Sequence, residues 1–128
     1  QPDPIPVGIA SDDLQLVLPR AIAHYDGYQG VWINNSDLAS YGLNRGSLAI
    51  VVPEEVRRGD LVAITELDND LVSCGFYDCD FGIVCLEVGG SEPQLFDRSN
   101  VKILGRIVGV TNAKKNSDGT MEVRPLNL

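Results

Sequence analysis

Ser47-Leu48-Ala49-Ile50-Val51-Val52-Pro53-Glu54-Glu55-Val56-Arg57-Arg58-Gly59-Asp60-Leu61-Val62-Ala63-Ile64-Thr65 holds two aliphatic runs, parted by a proline and an Arg-Gly-Asp turn. Each run has the length of a strand rather than a helix, and both are rich in β-branched residues, which suit a pleated sheet. Pro53 offers no backbone donor and ends the first run, while Gly59 supplies the turn before the second.

The same pattern spreads outward from this stretch. Gly30-Val31-Trp32-Ile33 precedes it, and Leu71-Val72-Ser73-Cys74, Gly82-Ile83-Val84-Cys85-Leu86-Glu87-Val88 and Val101-Lys102-Ile103-Leu104-Gly105-Arg106-Ile107-Val108-Gly109-Val110 follow, with a last strand at 120–123. Asn44-Arg45-Gly46, Asp68-Asn69-Asp70 and Val88-Gly89-Gly90 punctuate them. The chain therefore reads as mostly β, with at most one or two short helical turns. Residues 36–41 form one such turn, capped by Ser36 or Asp37 and ended by Gly42. Residues 13–23 read as mostly irregular, because Pro19 falls in their middle. Residues 112–118 read as a polar loop.

With 128 residues, 44% of them hydrophobic, the chain can bury one core. A single domain is expected over residues 13–128, with a linker at 1–12 whose Gln1-Pro2-Asp3-Pro4 reads as cut from something upstream. Lys and Arg number 10 against 18 Asp and Glu, a net charge of -8, which argues against a phosphate-gripping surface. There is no apolar run of membrane-spanning length and no basic-then-apolar leader, so a cytoplasmic protein without membrane contact is expected. Cys74, Cys79 and Cys85 are odd in number and lack metal-site spacing, so they read as buried reduced thiols. No cofactor or metal is implied.

Three ordered segments resemble the C-terminal, peptidase-like domain of LexA, UmuD and the phage repressors. Residues 35–51, Asn35-Ser36-Asp37-Leu38-Ala39-Ser40-Tyr41-Gly42-Leu43-Asn44-Arg45-Gly46-Ser47-Leu48-Ala49-Ile50-Val51, are similar to that family's nucleophile turn and strand entry. Residues 56–64 look like its Val-x-x-Gly-Asp-x-Val-x-Ala step, with Ile64 in place of Ala, and residues 100–110 look like its final strand. The resemblance implies a β domain of short, strongly bent strands.

Members of this family cut their own chain with a Ser hydroxyl whose proton passes to a neutral, buried Lys. Here the register puts Asp37 at the nucleophile position, with Ser36 one place early and Ser40 three late. Ser73 or Cys74 falls at the lysine position, and no Lys occurs between Ala39 and Val101. The resemblance thus implies a self-cleaving peptidase that has lost its catalytic pair. A rescue by Cys74 with Asp37 as base is chemically weak, since a carboxylic acid with a pKa near about 3.9 poorly deprotonates a thiol near about 8.5. The nearest counterpart of the family's Ala-Gly cleavage site is Ile5-Pro6-Val7-Gly8-Ile9-Ala10-Ser11, with Ala10 and Ser11 at the bond; a plain linker is the alternative.

The remaining candidates have simpler readings. His24 is the single histidine and stands alone, which argues for a surface role; Asp68-Asn69-Asp70 and Asp78-Cys79-Asp80 read as solvated turns rather than calcium loops. Asn34-Asn35-Ser36 has the letters of a glycosylation sequon without a secretion signal, and Trp32 reads as core. Ile107, Val108 and Val110 form an uncharged end strand that needs cover, and the resemblance places that strand in a dimer interface. The expected function is dimerisation or regulation in a LexA-like repressor that does not cleave itself, with DNA read by an upstream helix-turn-helix domain. The alternatives are a peptidase with unorthodox residues, and a ligand or protein-interaction module on the same scaffold.

Overall fold

The computed structural model describes residues 8–9, 16–25, 27–88, 92–111, 117 and 120–126. They are mostly β. The strands are β1 (Gly8–Ile9), β2 (Leu16–Val17), β3 (Gln29–Trp32), β4 (Leu48–Val52), β5 (Leu61–Glu66), β6 (Val72–Asp80), β7 (Ile83–Glu87), β8 (Gln94–Asp97), β9 (Val101–Thr111) and β10 (Met121–Pro125). The main path through the sheet runs β1-β3-β4-β9-β5-β6-β7-β8, with every neighbouring pair antiparallel. β10 pairs with the end of β9 and, in parallel, with β2.

Alternation along the central strands explains how so small a chain buries both faces of a sheet. In β4, Ala49 and Val51 join Leu61, Ala63, Leu104, Ile107 and Val110 in the main core, while Leu48 and Ile50 point the other way onto Ile22 and Val123. In β5, Leu61 and Ala63 serve that main core, and Val62 and Ile64 serve a second cluster with Val84, Leu86 and Val101. Two register shifts on β9, opposite Ile50/Val51 and opposite Ala63/Ile64, leave Val108 and Leu104 as extra residues. Bulges of this kind bend a strand and increase its twist, which lets one long strand serve two sheet regions.

Most expected strands are present, with shifted ends. The expected strand at 71–74 instead continues to Asp80, because Gly75 fits closely against Leu86 and Phe76 and Tyr77 pack inward. Asp78-Cys79-Asp80 is therefore strand, correcting its reading as a loop. The polar β8 carried no alternating apolar signal and went unread. Pro19 does not break a helix but starts one: Arg20–Ala23 (α1) follows it, and the Pro19 carbonyl accepts from the N–H groups of Ile22 and Ala23. The expected turn at 36–41 is a single 3-10 turn, Ala39–Tyr41, ended by Gly42 at φ 91.

The final strand requires the largest correction. β9 is an interior strand, flanked by β4 on one side and by β5 and then β10 on the other. Ile107 and Val110 are 2% and 0% exposed within the chain itself, and Val108 is half-buried against Ile50 and its neighbours. The reading of this segment as an exposed end strand needing a second copy for cover does not hold.

Candidate functional site

Asn35 and Leu38, from the first of the segments that carry the resemblance, meet Cys74 of β6 at one narrow cleft. Its walls are Val31, Trp32 and Ile33 of β3 and its exit, Asn34, Asn35 and Leu38 of the following loop, and Val72 and Cys74 of β6. Leu38 and Leu43 anchor the loop in the main core. Around Leu38 the chain is held by short-range bonds: Asn35 Oδ1 accepts from the Asp37 N–H at 3.0 Å, and the Ser36 carbonyl accepts from the Ala39 N–H at 3.2 Å. Farther along the same loop, Tyr41 packs edge-on to Phe76 of β6 at 4.9 Å between ring centres. The loop and β6 are thus bound to one another through packing rather than through charge.

Ser36 and Asp37 are exposed and do not line the cleft, whereas Leu38 is buried and the exposed Asn35 stands at the cleft's rim. Cys74 faces the cleft from β6, opposite Ala63 of β5, and Ser73 points to the other side of the strand. Burial pushes the Cys74 thiol from 9.0 up to about 12, and no cation offsets it. A thiol so placed stays protonated at neutral pH and is a poor nucleophile. Lys102, the single lysine among the described residues, is exposed on β9 opposite Thr65 and does not line the cleft.

β1 runs along the same wall. Gly8 pairs with Trp32 and Ile9 with Val31, so the middle of the cleavage-site-like segment lies antiparallel against the strand that lines the cleft. Ala10 and Ser11 lie outside the described residues.

A second, unanticipated feature sits on the opposite side of β9. Between the start of β5 and the end of β10, Ile107 and Val108 of β9 have no strand partner on that side, the Val108 carbonyl accepting instead from the Leu126 N–H at 3.1 Å, and a half-open cavity of about 380 Å³ lies there. Ile22, Leu61 and Leu126 line it, with Tyr25, Asp60 and Arg106 as polar groups. Arg106 Nη2 donates to Glu54 Oε1 at 2.8 Å and to the Tyr25 hydroxyl at 3.3 Å, and the guanidinium stands 5.8 Å from the Tyr25 ring centre. The Tyr25 hydroxyl, and then Glu54, raise the Arg106 pKa against the opposing effect of burial. These three residues are scattered along the chain, and no spacing signal links them; only the sheet brings them together.

The other sequence candidates occupy ordinary places. His24 is exposed beside Tyr25, and no cluster of three metal-ligating side chains exists among the described residues. The three cysteines are free and, taken as whole residues, half-buried, with the Cys74 thiol itself set deepest, against the main core. Trp32 is half-buried at the cleft wall, with its indole N–H unpartnered. No described helix is long and apolar enough to cross a membrane. Compared with protein-family models, the chain matches none, and a search of curated proteins likewise gives no significant match.

Proposed function

We propose that this chain is a regulatory domain of the LexA-like kind that does not cleave itself, and that its role is to hold copies of a transcriptional regulator together. The observation that carries the reading is the cleft: the loop that resembles a nucleophile turn and the strand position that resembles the general base border it, and part of the cleavage-site-like segment pairs with the strand that lines it. In place of a Ser-Lys pair, a protonated Cys74 faces the cleft and Asp37 is exposed outside it. DNA contact belongs, on this reading, to an upstream helix-turn-helix domain, because a net charge of -8 makes this domain a poor phosphate ligand. Pairing raises DNA affinity by effective concentration, the second half-site being reached from a tethered molecule. The surface that joins the copies lies elsewhere than Ile107 and Val110, which the chain already buries.

Sedimentation over a concentration series, with parallel incubation at alkaline pH, tests this reading. An intact dimer is expected. A monomer at all concentrations removes pairing as the role, and fragments ending near Ala10 would establish peptidase chemistry instead.

The cavity beside Arg106 favours a second reading, a ligand-sensing module. Its volume falls within the range of small-molecule sites, and its polar groups, Arg106 and Tyr25 among them, are fixed by hydrogen bonding. A change in the dimerisation constant on adding a metabolite mixture, lost in Arg106→Ala, would favour it.

A further inference from the structure

The far end of the sheet carries an unpartnered strand edge set in an acidic surface. β8 ends the main path of the sheet, and no described strand pairs with its outer side. Every second residue of an edge strand aims its N–H and C=O away from the sheet, which makes such an edge a template for another strand. Natural edges are commonly blunted by short length, charge, proline or a covering element; β8 is short, follows Pro93 and carries Asp97, so its protection is acidic rather than basic and leaves it open to a basic strand. Leu95 is 69% exposed and Ile83 42% exposed.

Strand register shows which side chains share the open face. Cys85 lies opposite both Asp78 and Leu95, and Ile83 lies opposite both Asp80 and Asp97. Glu87, two residues beyond Cys85, completes the set. Asp78 is paired with Arg58 at 2.8 Å, whereas Asp80, Glu87 and Asp97 have no ion-pair partner among the described residues. The Cys85 thiol registers the resulting field, being raised first by burial and then by Glu87 and Asp78. On the opposite face Phe96 is half-buried and extends the second core cluster toward the edge. Phe81, 98% exposed at φ 48, projects from the β6–β7 turn beside these residues.

We propose that the outer edge of β8 receives, by strand addition, an extended segment of a partner protein in which Lys or Arg alternates with apolar residues. Alternation follows from the two faces: basic side chains lie on the side of Asp97, their stems over Leu95, with Glu87 and Asp80 adding negative field from the strands behind, and apolar side chains continue the cluster at Phe96. A second copy of this chain is the wrong occupant, because two-fold pairing through β8 sets the same carboxylates against one another. This surface is independent of the cleft and of the regulatory reading.

Amide NMR titration of the 128-residue chain with a capped eight-residue peptide of alternating Lys and Val tests the proposal. Shifts confined to β7, β8 and the Phe81 turn are expected, weakened about tenfold or more by Asp80→Lys combined with Glu87→Lys. Both positions are exposed, and an unchanged thermal melt of the variant shows that the fold survives. A Glu-Val peptide and a Lys-Val peptide N-methylated along its pairing edge are expected not to bind. Absence of binding by the Lys-Val peptide, equal binding by either control, shifts mapping elsewhere, or self-association through β8 would each overturn it.

Discussion

The backbone N–H of Leu48 donates to the hydroxyl of Thr111 at 2.9 Å, joining positions 63 residues apart at the buried meeting of β4 and β9. A side-chain oxygen thus satisfies a main-chain donor that water cannot reach. Thr111→Val keeps the shape but strands that N–H, and a loss of about 1–3 kcal/mol is expected from urea denaturation. Thr111→Ser retains the oxygen and loses a methyl group, so about 1 kcal/mol is expected. Equal losses in the two variants would mean that packing, not the hydrogen bond, holds this corner.

Gly105 makes possible the lower bulge of β9. Its φ is 146, and an added Cβ would run into the Val52 carbonyl, with the carbonyl carbon 2.7 Å away. Backbone cannot swing aside as a side chain does, so Gly105→Ala is expected to cost about 3 kcal/mol or more, or to prevent folding. Gly46, at φ 88 with open space around it, isolates the conformational part; Gly46→Ala should cost about 1–2 kcal/mol. Comparable melting temperatures for the two variants would contradict the close approach.

Cys74 gives the alkaline limb of stability a definite sign. The folded chain holds its thiol proton to about 12, whereas the unfolded chain releases it near 9.0. Stability from this group is therefore complete below the unfolded value and declines as pH rises from there toward the folded one. Cys74→Ala should flatten that part of the profile, seen as a smaller fall in urea midpoint between pH about 8 and about 10.5. The native thiol should also resist iodoacetamide at neutral pH and react once urea is added.

Asp97 behaves oppositely. The N–H and hydroxyl of Ser99 hold its carboxyl below the usual 3.8. Whatever stability this carboxylate lends is present above the ordinary value and lost as pH falls through the depressed one. Ser99→Ala removes the hydroxyl donor, and carboxyl NMR titration should show Asp97 moving upward toward 3.8.

Legibility in the sequence followed the physical origin of each element. β4 and β5 announced themselves because both their faces are buried, leaving unbroken aliphatic runs between Pro53 and Gly59. Gly42 marked the end of the turn before β4 because a left-handed residue is needed there. β8 left no such trace: an edge strand with one open face needs few apolar residues. The sequence placed Asp37 and Cys74 in one resembling constellation, but not the outward position of Asp37, which follows from Leu38 rather than Asp37 being buried in the core. The Tyr25–Arg106–Glu54 cluster was hidden entirely, because its members meet only after the sheet has formed. Ile107 and Val110 show the reverse error, since hydrophobicity alone does not distinguish an interior strand from an interface.

The placement of β9 has a consequence for biosynthesis. β4 and β5 emerge from the ribosome well before β9, the strand that joins them. For that interval two of the most aliphatic segments of the chain have open edges and no partner on the side each will share with β9. Ribosomes stalled between β8 and β9 would therefore display a sticky, unfinished sheet, the species on which holding chaperones act.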